Sequence, residues 1–247
     1  MINQNEKQEK GAVGRIHSIQ SMGTLDGPGV RFVIFTQGCP LRCKCCHNPD
    51  TWDTMGGTLY RPEDLVSRAL RFREYFGKDG GVTVSGGEPL LQPEFVSNLF
   101  ELCHDNGINT CLDTSGCILT EEVKTLLNHT DRVLLDIKYT SDADYRAYVG
   151  CGISAPLAFL DYLETASIPT TLRQVIIPSL NDTEAQVLKL KQLANTHTNV
   201  DKVELLPFRK ICQVKYDNLG TEFPLSHVPE PSRAQMYRLE QILRSEN

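Results

Sequence analysis

Short apolar runs alternate with helix-patterned stretches along most of this 247-residue chain, and that alternation restricts the fold more than any other feature. The runs 31–37, 81–85, 109–114, 131–137, 169–177 and 201–207 read as strands. Apolar residues lie within each, as from Phe32 to Phe35 and from Val133 to Leu135. Helical periodicity fills the intervals 62–76, 92–106, 120–128, 155–166 and 181–195, with a closing helix at 232–244. Pro62 opens the first helix and Gly77 ends it, while Gly107 ends the second. Weak alternation over 13–19 suggests an added edge strand. The stretch 142–152 is polar and reads as irregular, and 210–231 reads as loop. Six strand–helix units imply a parallel sheet with helices outside: an α/β fold, an open partial TIM barrel of (β/α)6 type. Residues 13–247 are expected to form one domain behind a polar, disordered tail at 1–12.

In such barrels chemistry sits at the C-terminal ends of the strands. Cys39, Glu88, Asp113, Asp136, Lys138 and Arg209 all fall at or just past those ends. Cys39, Cys43 and Cys46 stand at a Cys-x3-Cys-x2-Cys spacing on the loop leaving the first apolar strand. Clustered thiolates are soft ligands and suit zinc or iron–sulfur. With His47 as fourth ligand the loop could hold structural zinc. Alternatively, three thiolates on a four-iron cubane would leave one iron free to bind a second molecule. Gly86-Gly87-Glu88 ends another strand, where glycines allow close backbone approach and the acid can accept from an ammonium group. Asp136 and Lys138 share one face of an extended segment. Arg173 lies inside an apolar strand and asks for an anionic partner. The 23–29 turn, Gly-Thr-Leu-Asp-Gly-Pro-Gly, can bend sharply.

Composition is that of an ordinary globular enzyme, 40% hydrophobic and 23% charged. A net charge of −6 without a long basic run disfavours nucleic acid as partner. No apolar stretch is long enough to span a membrane. Nine cysteines without a secretory signal fit a reducing, cytoplasmic setting. Cys103, Cys111, Cys117, Cys151 and Cys212 lack metal-type spacing and read as core or surface thiols.

The string Gln-Gly-Cys-x3-Cys-x2-Cys-His-Asn-Pro-Asp-Thr-Trp, followed one helix and one strand later by Gly-Gly-Glu, resembles the radical S-adenosylmethionine (SAM) superfamily. The match extends over nearly the whole chain after residue 13. The extended string and the Asp26-Gly-Pro-Gly-x-Arg turn resemble its branch that activates glycyl radical enzymes. That resemblance implies a [4Fe–4S] cluster on Cys39, Cys43 and Cys46, with SAM chelating the open iron. The reduced cluster would cleave SAM to methionine and a 5′-deoxyadenosyl radical, which takes a Cα hydrogen from a glycine of the partner. SAM contacts would map to Cys45, Cys46, His47, Gly86, Gly87, Glu88, Asp113, Thr114, Asp136, Ile137, Lys138 and Arg209. Asp26, Lys138 and Arg173 would serve the reaction, with Asp26 near the incoming glycine segment. A monovalent cation would map to Asp113, Thr114 and Asp136. Pyruvate formate-lyase is the implied partner, flavodoxin or ferredoxin the implied reductant, and a monomer the implied state. Two positions depart from the pattern. Cys45 replaces an aromatic residue that packs beside adenine, and Arg209 replaces a histidine near SAM. The rivals are another radical SAM enzyme of similar size and a non-catalytic zinc or electron-transfer module.

Overall fold

The computed structural model describes residues 12–245, so the tail expected at 1–12 lies, but for Ala12, outside the described residues. The strands are β1 (Gly14–Gly23), β2 (Arg31–Thr36), β3 (Thr58–Tyr60), β4 (Gly81–Gly86), β5 (Asn109–Thr114), β6 (Arg132–Asp136), β7 (Thr170–Ile176) and β8 (Val200–Pro207). They form one open sheet in the order β3-β1-β2-β4-β5-β6-β7-β8. From β2 through β8 each neighbouring pair is parallel, which makes six parallel strands as the alternation requires. β1 and β3 extend the sheet antiparallel at one edge.

The helices are α1 (Pro62–Leu70), α2 (Arg73–Phe76), α3 (Pro93–Asp105), α4 (Glu121–Leu127), α5 (Asp142–Tyr148), α6 (Ser154–Thr165), α7 (Glu184–Asn195), α8 (Gln213–Asn218) and α9 (Arg233–Arg244). Capping follows local chemistry. Thr120, Thr183 and Ser232 accept from backbone N–H groups at the starts of α4, α7 and α9, and Thr183 forms a full capping box with Gln186. The helix expected over 62–76 is broken at Phe72, whose ring turns in to meet Phe32 at 5.8 Å between centroids. Two expectations are corrected. The stretch 142–152 contains α5, and the stretch 210–231 contains α8. Each is short and mostly polar, anchored by one buried ring, Tyr145 or Tyr216.

Two apolar cores result. The larger lies between the sheet and the helices, with Val82, Val84, Leu99, Phe100, Leu135 and Phe159 at its centre. The smaller caps the C-terminal ends of the strands and includes Leu41, Cys43, Tyr139, Tyr145, Phe208 and Tyr216.

Candidate active site

The cysteine loop leaves β2 at its C-terminal end and is locked there by backbone contacts. Gly38, at φ +97°, receives Glu88 N–H on its carbonyl at 2.8 Å and donates to Thr51 at 2.8 Å. Gly87 N–H donates to Thr36 at 3.0 Å. A Cβ on Gly86 would stand 2.4 Å from Thr36 N, and one on Gly87 would stand 2.1 Å from Gly38 O. The two glycines therefore let the end of β4 close against the cysteine loop. The close backbone approach expected of them is made to that loop. Gln37, nearly fully buried, donates to the Asp50 and Asp53 carbonyls at 3.1 and 2.7 Å.

The helices that sequence reading missed hold the other side of the loop. Arg42 N and Lys44 N donate to Val149 and Tyr148 at the end of α5, at 3.2 and 2.8 Å. From α8, Tyr216 donates its hydroxyl to the Cys46 carbonyl at 3.2 Å, and Lys215 reaches Asn48 and Asp50 at 2.8 and 3.1 Å. His17 of β1 meets Asp50 at 3.0 Å. The signal available in the sequence was the set of isolated tyrosines, Tyr145, Tyr148 and Tyr216, in otherwise polar runs.

Glu88 sits among hydrogen-bond donors at the strand ends. It is 1% exposed, and its two oxygens accept from Leu90 N, Thr114 Oγ1, Ser115 N and Ser115 Oγ. Four donors fill the carboxylate's lone-pair sites. Glu88 thus ties the end of β4 to the end of β5. Arg209 lies nearer the surface. Its guanidinium pairs with Glu230 at 2.7 Å on the surface, and only its carbonyl faces inward, accepting from His47 Nε2 at 3.0 Å. Burial holds the His47 pKa below its usual value, against that hydrogen bond. The Ile137 side chain lies in the larger core, and its N–H and C=O are taken by Arg173 and Gln174.

Asp113, Asp136, Lys138 and Arg173 do come together. Lys138 Nζ lies 3.0 Å from Asp136, and Arg173 bridges Asp113 at 3.4 Å and Asp136 at 3.7 Å. Ser85 Oγ donates to Asp113 at 2.8 Å. Burial pushes the Asp113 carboxyl up to about 6 although Arg173 pulls it down. For Asp136, Lys138 and Arg173 outweigh burial and hold it below the usual range. Lys138 stays protonated because the ion pair with Asp136 outweighs its burial. Of the residues matched to a monovalent cation, Asp113 and Asp136 both face Arg173, and Thr114 donates to Glu88. Asp26 enters this group from the loop before β2; burial raises its pKa and Arg173 opposes that rise. Arg173 Nε and Nη1 are buried without a hydrogen-bond partner of good geometry.

The donor set fits an iron–sulfur cluster. Burial pushes Cys39 and Cys45 up to about 11 and raises Cys43 and Cys46 too, so the free loop carries neutral thiols. Ligation must then release protons. Mononuclear zinc needs thiolates about 2.3 Å from a single point. Among the described residues no three Cys, His, Asp or Glu side chains converge to hold one ion, and His47 is engaged with Arg209. Two buried donors beside the loop, Trp52 Nε1 and Tyr139 Oη, lack partners, as groups facing a sulfur-rich ligand would. A cleft of about 810 Å³ runs along β8 beside Thr24, Leu25 and Gly27. A second, about 460 Å³, shares Thr24 and Leu25 and reaches Asp26, His47 and Asn48. Together they lead from the open edge of the sheet to the cysteine loop.

Fold and site thus define a partial-barrel protein with a soft metal-binding loop and a partly buried ionic group at one end of its parallel strands. A family model of the radical SAM superfamily matches residues 33–190. The chain is 43% identical to the pyruvate formate-lyase-activating enzyme of Clostridium pasteurianum over 94% of this chain and 98% of that one. It is 40% identical to pyruvate formate-lyase 1-activating enzyme of Escherichia coli K12 over 94% and 95%. In fold it is similar to a radical SAM methyltransferase from Sphaerobacter thermophilus, with a TM-score of 0.63 at 20% identity over 87% of this chain and 63% of that one. The chain belongs to the radical SAM superfamily. Membership implies a [4Fe–4S] cluster and SAM as its cofactors.

Proposed function

We propose that this protein activates pyruvate formate-lyase by generating a radical on one of its glycines. The observation that carries the reading is the Cys39, Cys43 and Cys46 loop beside the partly buried Asp113–Arg173–Asp136–Lys138 group, in a chain so similar to named activating enzymes. Cys39, Cys43 and Cys46 would hold the cluster. When bound, the reduced cluster supplies the single electron that cleaves SAM, and the radical so released takes the glycine hydrogen. Arg173 and Lys138 present positive charge to an anionic group of SAM, and Asp136 is ionised to receive a donor from it. Gly86 and Gly87 act by seating the cysteine loop, and Glu88 by bracing β4 against β5. Burial of the strand-end cap under Tyr139, Tyr145 and Phe208 limits water at the reacting centre. The lateral clefts offer a path for an extended glycine-containing segment past Asp26. Flavodoxin or ferredoxin is the proposed electron donor.

The test is anaerobic. Iron and sulfide are reconstituted, the protein is reduced chemically or by flavodoxin, and SAM and pyruvate formate-lyase are added. Electron paramagnetic resonance (EPR) then reports a glycyl radical that depends on both additions. Formation of 5′-deoxyadenosine without that radical would overturn the partner and keep the reaction class. Zinc without iron, and no SAM cleavage, would overturn both.

A further inference from the structure

The stretch Leu41-Arg-Cys-Lys44 of the cysteine loop alternates in exposure. Leu41 and Cys43 are buried, 7% and 9% exposed, whereas Arg42 and Lys44 are exposed. The loop thus turns a thiol inward and two cations to solvent. Among the described residues neither cation makes an ion pair. Two other lysines near the loop are paired, Lys138 with Asp136 and Lys215 with Asp50. The exposed head groups are held in place without being neutralised. Arg42 Nη1 donates to the Cys39 and Leu41 carbonyls at 2.8 Å each, and its guanidinium lies 5.0 Å over the Trp52 ring. Lys44 Nζ stands 4.8 Å over the Tyr148 ring, which stacks on buried Tyr139 at 5.2 Å between centroids. Cations already fixed in this way lose little further freedom when a partner docks on them.

The chain as a whole carries a net charge of −6. It repels an acidic protein in general, so a local positive spot decides where such a partner can approach. This spot lies on the loop that bears Cys39, Cys43 and Cys46, and each of its two residues is joined to Cys43 by one peptide bond. Electron transfer weakens steeply with distance, so a partner docked there has a short path to the cysteine sulfurs. Interfaces that pass electrons are small and transient, and two fixed charges suit that kind of contact better than a large apolar face. Neither Arg42 nor Lys44 lines the clefts that lead in beside Thr24 and Leu25. A donor on the outer face of the loop therefore leaves the path of the glycine segment open.

We propose that Arg42 and Lys44 form the docking point for a small acidic one-electron carrier protein. One electron leaves the reduced carrier and enters the cluster; the carrier is oxidised by one electron, and no bond forms or breaks. The proposal rests on the reading that Cys39, Cys43 and Cys46 hold a [4Fe–4S] cluster. The probe is reduced flavodoxin, mixed anaerobically with reconstituted protein at low ionic strength, and cluster reduction is followed by stopped-flow absorbance. Lys44→Glu tests the site because the Lys44 ammonium makes only the ring contact. Lys78→Glu is the control, since it changes net charge equally from an exposed position before β4, at the opposite end of the strands. Lys44→Glu is expected to slow reduction by flavodoxin about tenfold, and Lys44→Arg and Lys78→Glu to keep it within about twofold of native. Reduction by dithionite, a small reductant, should proceed alike in all four proteins. Raising the salt should slow the native reaction with flavodoxin and affect Lys44→Glu less. A second readout needs no electron transfer: a carbodiimide, which joins amines to carboxylates, is expected to cross-link Lys44 to flavodoxin, as mapped by mass spectrometry. Equal slowing by Lys44→Glu and Lys78→Glu, equal rates in Lys44→Glu and native protein, or no cross-link at Lys44 overturns the docking site. So does a Lys44→Glu chain slowed as much with dithionite, because Lys44 would then act on the cluster and not on the carrier. If the native chain takes up no cluster, the functional reading falls with the proposal; a native chain that loads but is reduced by dithionite alone sinks the docking site only.

Discussion

Two arginines of the barrel, one fully buried and one partly so, have opposite surroundings. Arg31, 0% exposed, starts β2 at the N-terminal end of the parallel strands. It donates to Thr83 Oγ1, Asn109 Oδ1 and the carbonyls of Asp79, Val82 and Asn109, at 2.6 to 3.3 Å. Every one of those acceptors is neutral, and burial lowers its pKa. Arg173, 13% exposed at its side chain, faces two carboxylates at 3.4 and 3.7 Å, yet Nε and Nη1 lack a well-aligned acceptor. Arg31 is geometrically saturated and has nothing left to offer a ligand. Arg173 is electrostatically balanced and geometrically unfinished. A buried cation of the first kind closes a fold; one of the second kind marks where a further group belongs.

The cysteines divide in the same way, and they offer the largest test of the comparison. Cys103 and Cys111 lie near Arg31, whereas Cys43 and Cys45 lie near Lys138. Cys43→Ala is expected to abolish iron and sulfide uptake, and Cys103→Ala to retain it; equal uptake by the two variants would erase the distinction between the ends. Next in size is the arginine pair itself. Arg31→Met leaves five acceptors without their donor and should lower unfolding free energy by about 3–5 kcal/mol in urea titrations. Arg173→Met should cost less stability and reduce glycyl radical yield by about 10²-fold. Comparable stability losses with activity intact in Arg173→Met would reverse the assignment.

A smaller effect concerns pH. Asp113 has a pKa of about 6 in the folded chain against an ordinary 3.8. Between those values the folded state holds more protons, so the Asp113 contribution makes stability fall as pH rises through that window. Asp113→Asn should remove this contribution, visible as a flatter stability profile between the two pH values. A profile identical to the native one would show that Arg173 already keeps Asp113 ionised. The smallest expected change is at Arg209. Its ion pair with Glu230 is half-exposed, and Arg209→Ala should shift stability by no more than about 0.5 kcal/mol. A large loss of SAM binding by equilibrium dialysis in that variant would return Arg209 to the site.

Much of this was legible in the residues. The six parallel strands were readable because each carries a short apolar stretch between turn and helix signals, even where, as in β8, much of the strand is only partly covered. β3 was not, since three residues are too few to show a period and its place depends on pairing with β1. α5 and α8 were hidden for a related reason: one buried tyrosine each anchors a mostly polar turn or two. The same blindness affected the site. Sequence shows Glu88 as an acid after two glycines; only the fold reveals that Thr114 and Ser115 donate to it. Arg209 stood at the right position along the chain but turns outward to Glu230.

By itself the sequence determined the class of fold, the end of the barrel that carries chemistry, and the soft donor set of Cys39, Cys43 and Cys46, because strand burial and ligand chemistry are local properties of residue type and spacing. Only the tertiary structure decided which polar groups are already spent and which remain open. A hydrogen bond's partner comes from residues distant in the chain, so the contrasts between Glu88 and Asp136, and between Arg31 and Arg173, exist only once β2, β4, β5, β6 and β7 lie side by side.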